Sequence, residues 1–466
     1  MTTTTGAASV VFDPALIERY GGRGPRYTSY PTALQFSDEV DTPTYQEHAR
    51  LSNRQARPLS LYVHIPFCRS LCYYCGCNKI VTRNQARVDR YLEMLHREID
   101  LQSVLFDTTR KTRQLHFGGG TPTYLEFGQL ALLMEALDEA FRFEPVGERE
   151  FSIEVDPRTI EHGTMHHLVD LGFNRISLGI QDFDPAVQRA VNREQTRDDV
   201  HALVNDARSH GIESISFDLI YGLPLQSVAS FDETLDIVVG MRPDRLAVYN
   251  YAHLPERFKG QRMIRDVDIP TPQTRLEILH HTVDKLMAAG YEYVGMDHFA
   301  LPDDELVRAR HDGSLQRNFQ GYSTHGDCDL IGLGASAIGS IGKLYAQNAV
   351  TTGGYEASLE SGRLPIVRGI VVDADDRRRA DVIQTLMCFD RLSFDDFERR
   401  HGIGFEPYFE TELERLTPLA RDGLLEIDAA GISITPSGRL LLRSIAMVFD
   451  RHLARQSADR RFSKAI

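Results

Sequence analysis

No tryptophan occurs in the 466 residues, and only six cysteines do. Six cysteines in so long a chain exclude a small disulfide-stapled scaffold, which needs them at far higher density. Lysine and arginine number 52 against 66 aspartates and glutamates, a formal charge of −14. That deficit of positive charge excludes a general nucleic-acid binder, though not local basic pockets for an acidic ligand. Long hydrophobic runs are missing too. The longest uncharged apolar stretch, Leu330 to Gly342, falls well short of the ~20 residues a membrane helix needs. The opening MTTTTGAASVVFDPALIERY has neither a basic n-region nor an apolar core, so it does not read as a secretory signal. A cytosolic protein with reduced thiols is expected. With 42% hydrophobic and 25% charged residues, the composition is that of a globular chain long enough for two domains or more.

The cysteines that are present cluster. LYVHIPFCRSLCYYCGCNKI (61–80) holds Cys68, Cys72, Cys75 and Cys77, the first three spaced C-x3-C-x2-C. The loop follows the apolar run Leu59 to Ile65, which reads as a buried strand. A structural zinc site wants four ligands, usually as two separated C-x2-C pairs. Cys328 and Cys388 stand alone, so a zinc site would have to borrow Cys77 or His64. Disulfides do not suit a reducing compartment. Three soft thiolates suit an iron–sulfur cubane that leaves one iron open for an exogenous ligand. The spacing, with Tyr73 and Tyr74 between the second and third cysteines, resembles the signature of the radical S-adenosylmethionine (SAM) superfamily.

From Leu59 to about Met296, strand-like runs alternate with helical patterns. The strand candidates are LSLYVHI, QLHFGGG, FSIEV, RISLGI, SISFDLI, RLAVYNY and YEYVGM. The alternation predicts an α/β fold of parallel β/α units closed as a barrel or partial barrel, with reactive residues at the C-terminal strand ends. Several strand ends carry polar tips: Glu154 and Asp156 in IEVDP, Gln181 in GIQDF, Asp218 in FDLIYGLP. Buried polar groups are costly unless bonded, so these tips read as ligand contacts or as turn caps. The glycines of QLHFGGGTPTYL read as a tight turn or as a close backbone approach to a cofactor. Arg193 reads as a surface ion pair unless a ligand claims it. His253, His298 and His325 are ligand or proton-carrier candidates against the commoner role of hydrogen-bonded structural histidines. The glycine-dense stretch 319–342 suits backbone approach to a bulky planar ligand.

The first sixty residues read as irregular. Arg23 and Arg26 beside Tyr27 and Tyr30 suit a carboxylate on a flat ligand, or else a solvated surface arm. Composition divides the chain into an N-terminal arm (1–57), a catalytic β/α region (58–365) and a mostly helical cap (366–466). In the cap, helical patterns precede a strand, tight turn, strand and helix, which resembles a winged-helix unit with an acidic wing (Asp422, Glu426, Asp428). The basic tail RRFSKAI reads as a frayed end or supplies Lys464 as a candidate, with Arg26 and Arg193, for an anionic substrate.

GPRYTSYPTA, YVHIPFCRSLCYYCGCNKIVTRN, HFGGGTPTYL, SIEVDPR, VQRAVNREQ, FDLIYGLP, NYAHLP, GMDHFA, NFQGYSTHGD and the closing FSKAI together resemble the oxygen-independent coproporphyrinogen III oxidase family. The resemblance runs from about residue 20 to the end. The related haem-chaperone family shares the cysteine triad, but its HNxxYW motif is excluded in a chain without tryptophan. A haem-binding and haem-delivering chaperone is the alternative reading. The resemblance implies a radical SAM-type partial (β/α)6 barrel. It implies a 4Fe–4S cluster on Cys68, Cys72 and Cys75, with Cys77 not a ligand. Tyr62, Tyr74, Gly119 and Glu154 match contacts to the cluster-bound SAM. Gly120, Thr121, Gln181, Arg193, Asp218, Ala252 and Ile338 match positions assigned to a second SAM. It further implies a monomer and reduction by flavodoxin or ferredoxin. The implied reaction uses a 5′-deoxyadenosyl radical to take hydrogen from two propionate side chains of coproporphyrinogen III. Loss of carbon dioxide and one electron from each then leaves the vinyl groups of protoporphyrinogen IX.

Overall fold

The structure, a computed structural model, describes residues 10–453. Lys464 therefore lies outside the described residues. The chain forms two compact units, one of residues 36–270 and 327–372, the other of residues 10–35, 271–326 and 373–453 among those described. The second unit draws on all three segments expected from composition.

The first unit is built on six strands that run parallel: β1 (Leu59–Ile65), β2 (Thr112–Gly119), β3 (Glu150–Val155), β4 (Arg175–Gln181), β5 (Ser214–Tyr221) and β6 (Arg245–Asn250). They neighbour one another in sequence order. Helices fill the crossovers: Gln85–Ser103, Phe127–Phe141, Thr164–Asp170, Arg197–Ser209 and Val228–Met241. The strands alternate: Leu61, Val63 and Ile65 of β1 share one face and are fully buried, while the opposite face carries Ser60, Tyr62 and His64. On its other edge β1 pairs in parallel with Asp329–Leu333, and the antiparallel strands Ile338–Ile341, Leu344–Asn348 and Ile366–Val371 extend the sheet outward. β1 thus has a neighbour other than β6, and the parallel set is a partial barrel, as the family resemblance implied. The glycines at 332 and 339 allow this hairpin to close. A Cβ on Gly332 would stand 2.8 Å from the Ile338 carbonyl carbon, and one on Gly339 2.9 Å from the Leu330 oxygen. In the 327–342 half of the glycine-dense stretch, those small residues serve strand packing.

The second unit carries the winged-helix-like region. Helices Ala374–Cys388, Phe394–His401 and Glu410–Arg421 surround a three-stranded sheet ordered Arg391–Ser393, Gly431–Ile434, Leu425–Asp428. Phe397, Phe405, Phe409 and Phe449 are fully buried among them. Tyr27 and Tyr30 from the arm join this core, and the Tyr27 hydroxyl donates to Asp450 at 3.0 Å.

Two expectations need correction. The first sixty residues are not irregular throughout: Pro14–Tyr20 and Thr42–Asn53 are helices. Asp13 and Asp41 cap them, each followed by proline in the first turn, where a missing N–H costs nothing. YEYVGM does not supply another parallel strand. Glu292–Gly295 belongs to the second unit and pairs antiparallel with His298–Ala300 across a tight turn. Among the described residues, no helix is long and apolar enough to cross a membrane.

Candidate active site

The cysteine loop leaves the C-terminal end of β1. It begins as a short strand, Phe67–Cys68, paired with Ile80–Val81, so the loop is closed at its base. The Gly118–Gly120 turn after β2 packs directly beneath it. Gly120 N donates to Ile65 O at 2.8 Å and Thr121 N to Phe67 O at 2.8 Å. A Cβ on Gly120 would lie 2.7 Å from the backbone of both Pro66 and Phe67, and one on Gly119 (φ +114) 2.5 Å from the His64 ring. These glycines are required first by the loop itself.

Cys68 and Cys72 are buried, Cys75 is half-buried and Cys77 is exposed. Burial, joined by the neighbouring Cys75 and Cys72, pushes the Cys68 thiol up to about 11. A hydrogen bond with Cys77 holds the Cys75 thiol down to about 6, against its burial and with help from the Lys79 charge. Thr121 Oγ1 donates to the Cys68 sulfur at 3.6 Å.

Cys72 has charged partners. Arg158 Nη2 lies 3.3 Å and Arg193 Nη1 3.4 Å from its sulfur. Both guanidiniums share one carboxylate, Asp156, at 2.6 and 3.2 Å. Burial alone would raise the Asp156 carboxyl, but the two arginines hold it below the usual range. Arg193 is 6% exposed and places Nε and Nη2 on the Gly179 carbonyl, so it is no surface ion pair. Two cations and one anion leave a surplus positive charge facing Cys72, which a thiolate would neutralise.

Glu154, on β3, accepts from Gly119 N at 3.1 Å, and its side chain remains 41% exposed. His116 stands between Ser152 Oγ (2.6 Å) and Glu154 (3.5 Å), and the Tyr62 ring stacks on it at 5.9 Å. His64 Nε2 faces the Asn78 carbonyl at 3.0 Å and therefore carries the proton; its Nδ1 accepts from Tyr62 OH at 3.1 Å. Burial keeps that imidazole from charging. Asp218 accepts from Ser177 Oγ at 3.3 Å and is raised to about 7 by burial and by the Glu154 charge. Gln181 sits at φ +67, and its buried Oε1 has no hydrogen-bond partner. Gln261 Nε2 donates to the carbonyls of Tyr74 (2.9 Å) and Ala252 (3.2 Å), tying the loop after β6 to the cysteine loop. Ile338 borders β1 through Gly332, the register partner of Tyr62.

Behind β1, Glu98 is fully buried. It accepts from Gly334 N, Tyr355 OH and Asn348 Nδ2 at 2.7, 2.6 and 2.6 Å. Tyr91 OH donates to His64 O at 2.7 Å and accepts from Ala335 N at 3.0 Å, linking this group to the loop.

Of the other sequence candidates, His253 is bonded to Tyr251 OH and Asp266, a structural arrangement. In the second unit, His298 meets Tyr322 edge-on, and His325 N donates to Ser323 Oγ. Arg26 is paired with Asp297, which already balances its charge. Arg158 and His116 were missed. Arg158 was legible in the Asp-Pro-Arg that ends β3, since an Asp-Pro step starts a turn the aspartate caps; no pattern marked His116.

Residues 62–238 match the Radical SAM superfamily, and residues 372–441 the HemN C-terminal domain. The curated oxygen-independent coproporphyrinogen III oxidase of Pseudomonas aeruginosa is 52% identical over 459 residues, covering 98% of this chain and 99% of its own. The chain belongs to this family. The Escherichia coli relative of the same name is 50% identical over 455 residues, 98% of each chain. A solved structure, described as coproporphyrinogen III oxidase (HemN) from Escherichia coli, a radical SAM enzyme, superimposes with a TM-score of 0.91 at 49% identity. It covers 96% of this chain and 100% of that one. Radical SAM proteins use a 4Fe–4S cluster and SAM. The donor set here fits them: three convergent thiols, a surplus guanidinium charge beside one, and an unpartnered amide oxygen in Gln181.

Proposed function

We propose that the chain performs the oxygen-independent oxidation of coproporphyrinogen III for which its relatives are named, converting two propionates to vinyl groups and giving protoporphyrinogen IX. The observation that carries this reading is the cysteine triad at the end of β1, with Cys72 held against Arg158 and Arg193. In this reading Cys68, Cys72 and Cys75 hold the cluster. When bound, the cluster and SAM supply a one-electron cleavage whose carbon radical removes hydrogen from the propionate. Glu154, part exposed beside the Gly119 amide, is suited to accept an ammonium group next to the Tyr62 ring, and Tyr74 is taken as a further contact to the same SAM. The free Oε1 of Gln181 and the near-neutral carboxyl of Asp218 suit hydrogen-bond donors of a second SAM, bordered by Gly120, Thr121, Arg193, Ala252 and Ile338.

Residues 1–57, 58–365 and 366–466 are taken as arm, catalytic region and cap. A cytosolic monomer reduced by flavodoxin or ferredoxin completes the reading. The haem-chaperone alternative is not favoured, because the relatives that match over the whole chain carry the oxidase name. Anaerobic incubation with SAM, a reductant and coproporphyrinogen III tests it. Carbon dioxide and 5′-deoxyadenosine should appear in proportion to vinyl groups; stoichiometric haem retention without turnover would overturn it.

A further inference from the structure

We infer that Arg158 is a positioning residue that sets the reduction potential of the iron–sulfur cluster through its hydrogen bond to Cys72. The inference rests on the cluster reading above but concerns a residue that reading leaves without a role. Arg158 is held rigidly. Asp156 caps the turn Pro157–Thr159 by accepting from Arg158 N at 3.1 Å. The same carboxylate receives Nε at 3.0 Å and Nη2 at 2.6 Å, fixing the plane of the guanidinium. Nη1 reaches the Asn192 carbonyl at 3.3 Å, which leaves Nη2 directed at the Cys72 sulfur, also at 3.3 Å.

The cysteines are not treated alike. Cys68 receives only a neutral hydroxyl from Thr121, whereas two guanidiniums reach Cys72. Hydrogen bonds and positive charge at a ligand sulfur stabilise the more negative, reduced cluster and raise its potential. Arg193 shares the task, but it is wholly interior and already expected at the second SAM. Arg158 stands at the outer wall, lining an open groove with Phe183, Gln188, Arg197 and Asp199. Arg158 thus reaches the sulfur from that groove, whereas Arg193 reaches it from the interior.

The test is a redox titration of the reconstituted full-length protein without SAM, followed by electron paramagnetic resonance, with iron and sulfide measured in parallel. Arg158→Met should keep its iron and make reduction roughly tenfold less favourable, about 59 mV more negative for one electron. Arg158→Lys, which keeps the charge without the fork, should fall between. Arg197→Met removes a positive charge from the same groove without touching Cys72 and should leave the potential unchanged. An unshifted Arg158→Met, or an equal shift in Arg197→Met, overturns the inference. If Arg158→Met fails to hold iron, Arg158→Gln decides. A full cluster at lowered potential supports the inference, whereas loss of iron there too makes Arg158 a loop support only and overturns it. Wild-type protein that binds no cluster at all would instead overturn the cluster reading, a separate outcome.

Discussion

His64 Nε2 donates to the carbonyl oxygen of Asn78 at 3.0 Å, joining the last turn of β1 to the far side of the cysteine loop. Asn78 is held in turn by its own side chain, which donates to Ser336 Oγ and Val350 O at 2.9 Å each. The loop is thus fastened at its base by strand pairing, and the neutral imidazole of His64 joins the Asn78 side-chain bonds in holding the segment that closes it. His64→Phe should leave Tyr62 OH and Asn78 O without partners, costing about 2 kcal/mol. Anaerobic urea unfolding reads that cost, and iron per chain should fall with it. Unchanged stability and iron would show that the loop does not depend on this bond.

Gly120→Ala should be worse, because the added methyl meets backbone atoms of Pro66 and Phe67 that cannot swing aside. A loss of ~3 kcal/mol or more is expected, with cluster loss. Gly128→Ala, where a Cβ meets nothing within 4 Å at the start of a helix, should stay within about 1 kcal/mol of wild type. Thermal unfolding and iron analysis of both variants check the contrast.

Glu98 gives a pH dependence. Burial raises its carboxyl from 4.5 to about 7, against the hydrogen bonds from Tyr355, Gly334 and Asn348. Between those values the unfolded chain releases the proton while the folded chain keeps it, so this group's contribution to stability declines as pH rises. Below the lower value the contribution is fully present; above the higher it is flat. Glu98→Gln does not titrate, so the wild type's margin over it should shrink from pH 5 to pH 7.5. A margin independent of pH in urea titrations would refute this.

Cys77 is exposed beside Cys75 and outside the C-x3-C-x2-C spacing. Cys77→Ser should retain full iron, whereas Cys72→Ser should lose most of it. Loss of iron in Cys77→Ser would move the ligand set.

Much of this was legible in the sequence. The runs LSLYVHI to RLAVYNY are the strands β1 to β6, because each sets buried apolar residues at every second position and stands between helical patterns. Strand direction was not legible in YEYVGM, since an apolar run does not record its partner. The helix Thr42–Asn53 follows a glycine- and proline-rich segment that breaks regular structure, but its Asp41 cap and Pro43 are the local marks of its start. In the site, residue types at strand ends pointed to chemistry. The sharing of one Asp156 by two arginines was not visible, because Arg193 comes from a loop far along the chain.

The close fit of Gly120 against Pro66 and Phe67 has an evolutionary consequence. Neither segment can drift alone: a bulkier residue in the turn requires a displaced cysteine loop, and a displaced loop misplaces its sulfurs. Substitutions tolerated across this contact should therefore arise in pairs, and libraries that randomise both segments together should recover functional combinations that single-site scanning never reaches.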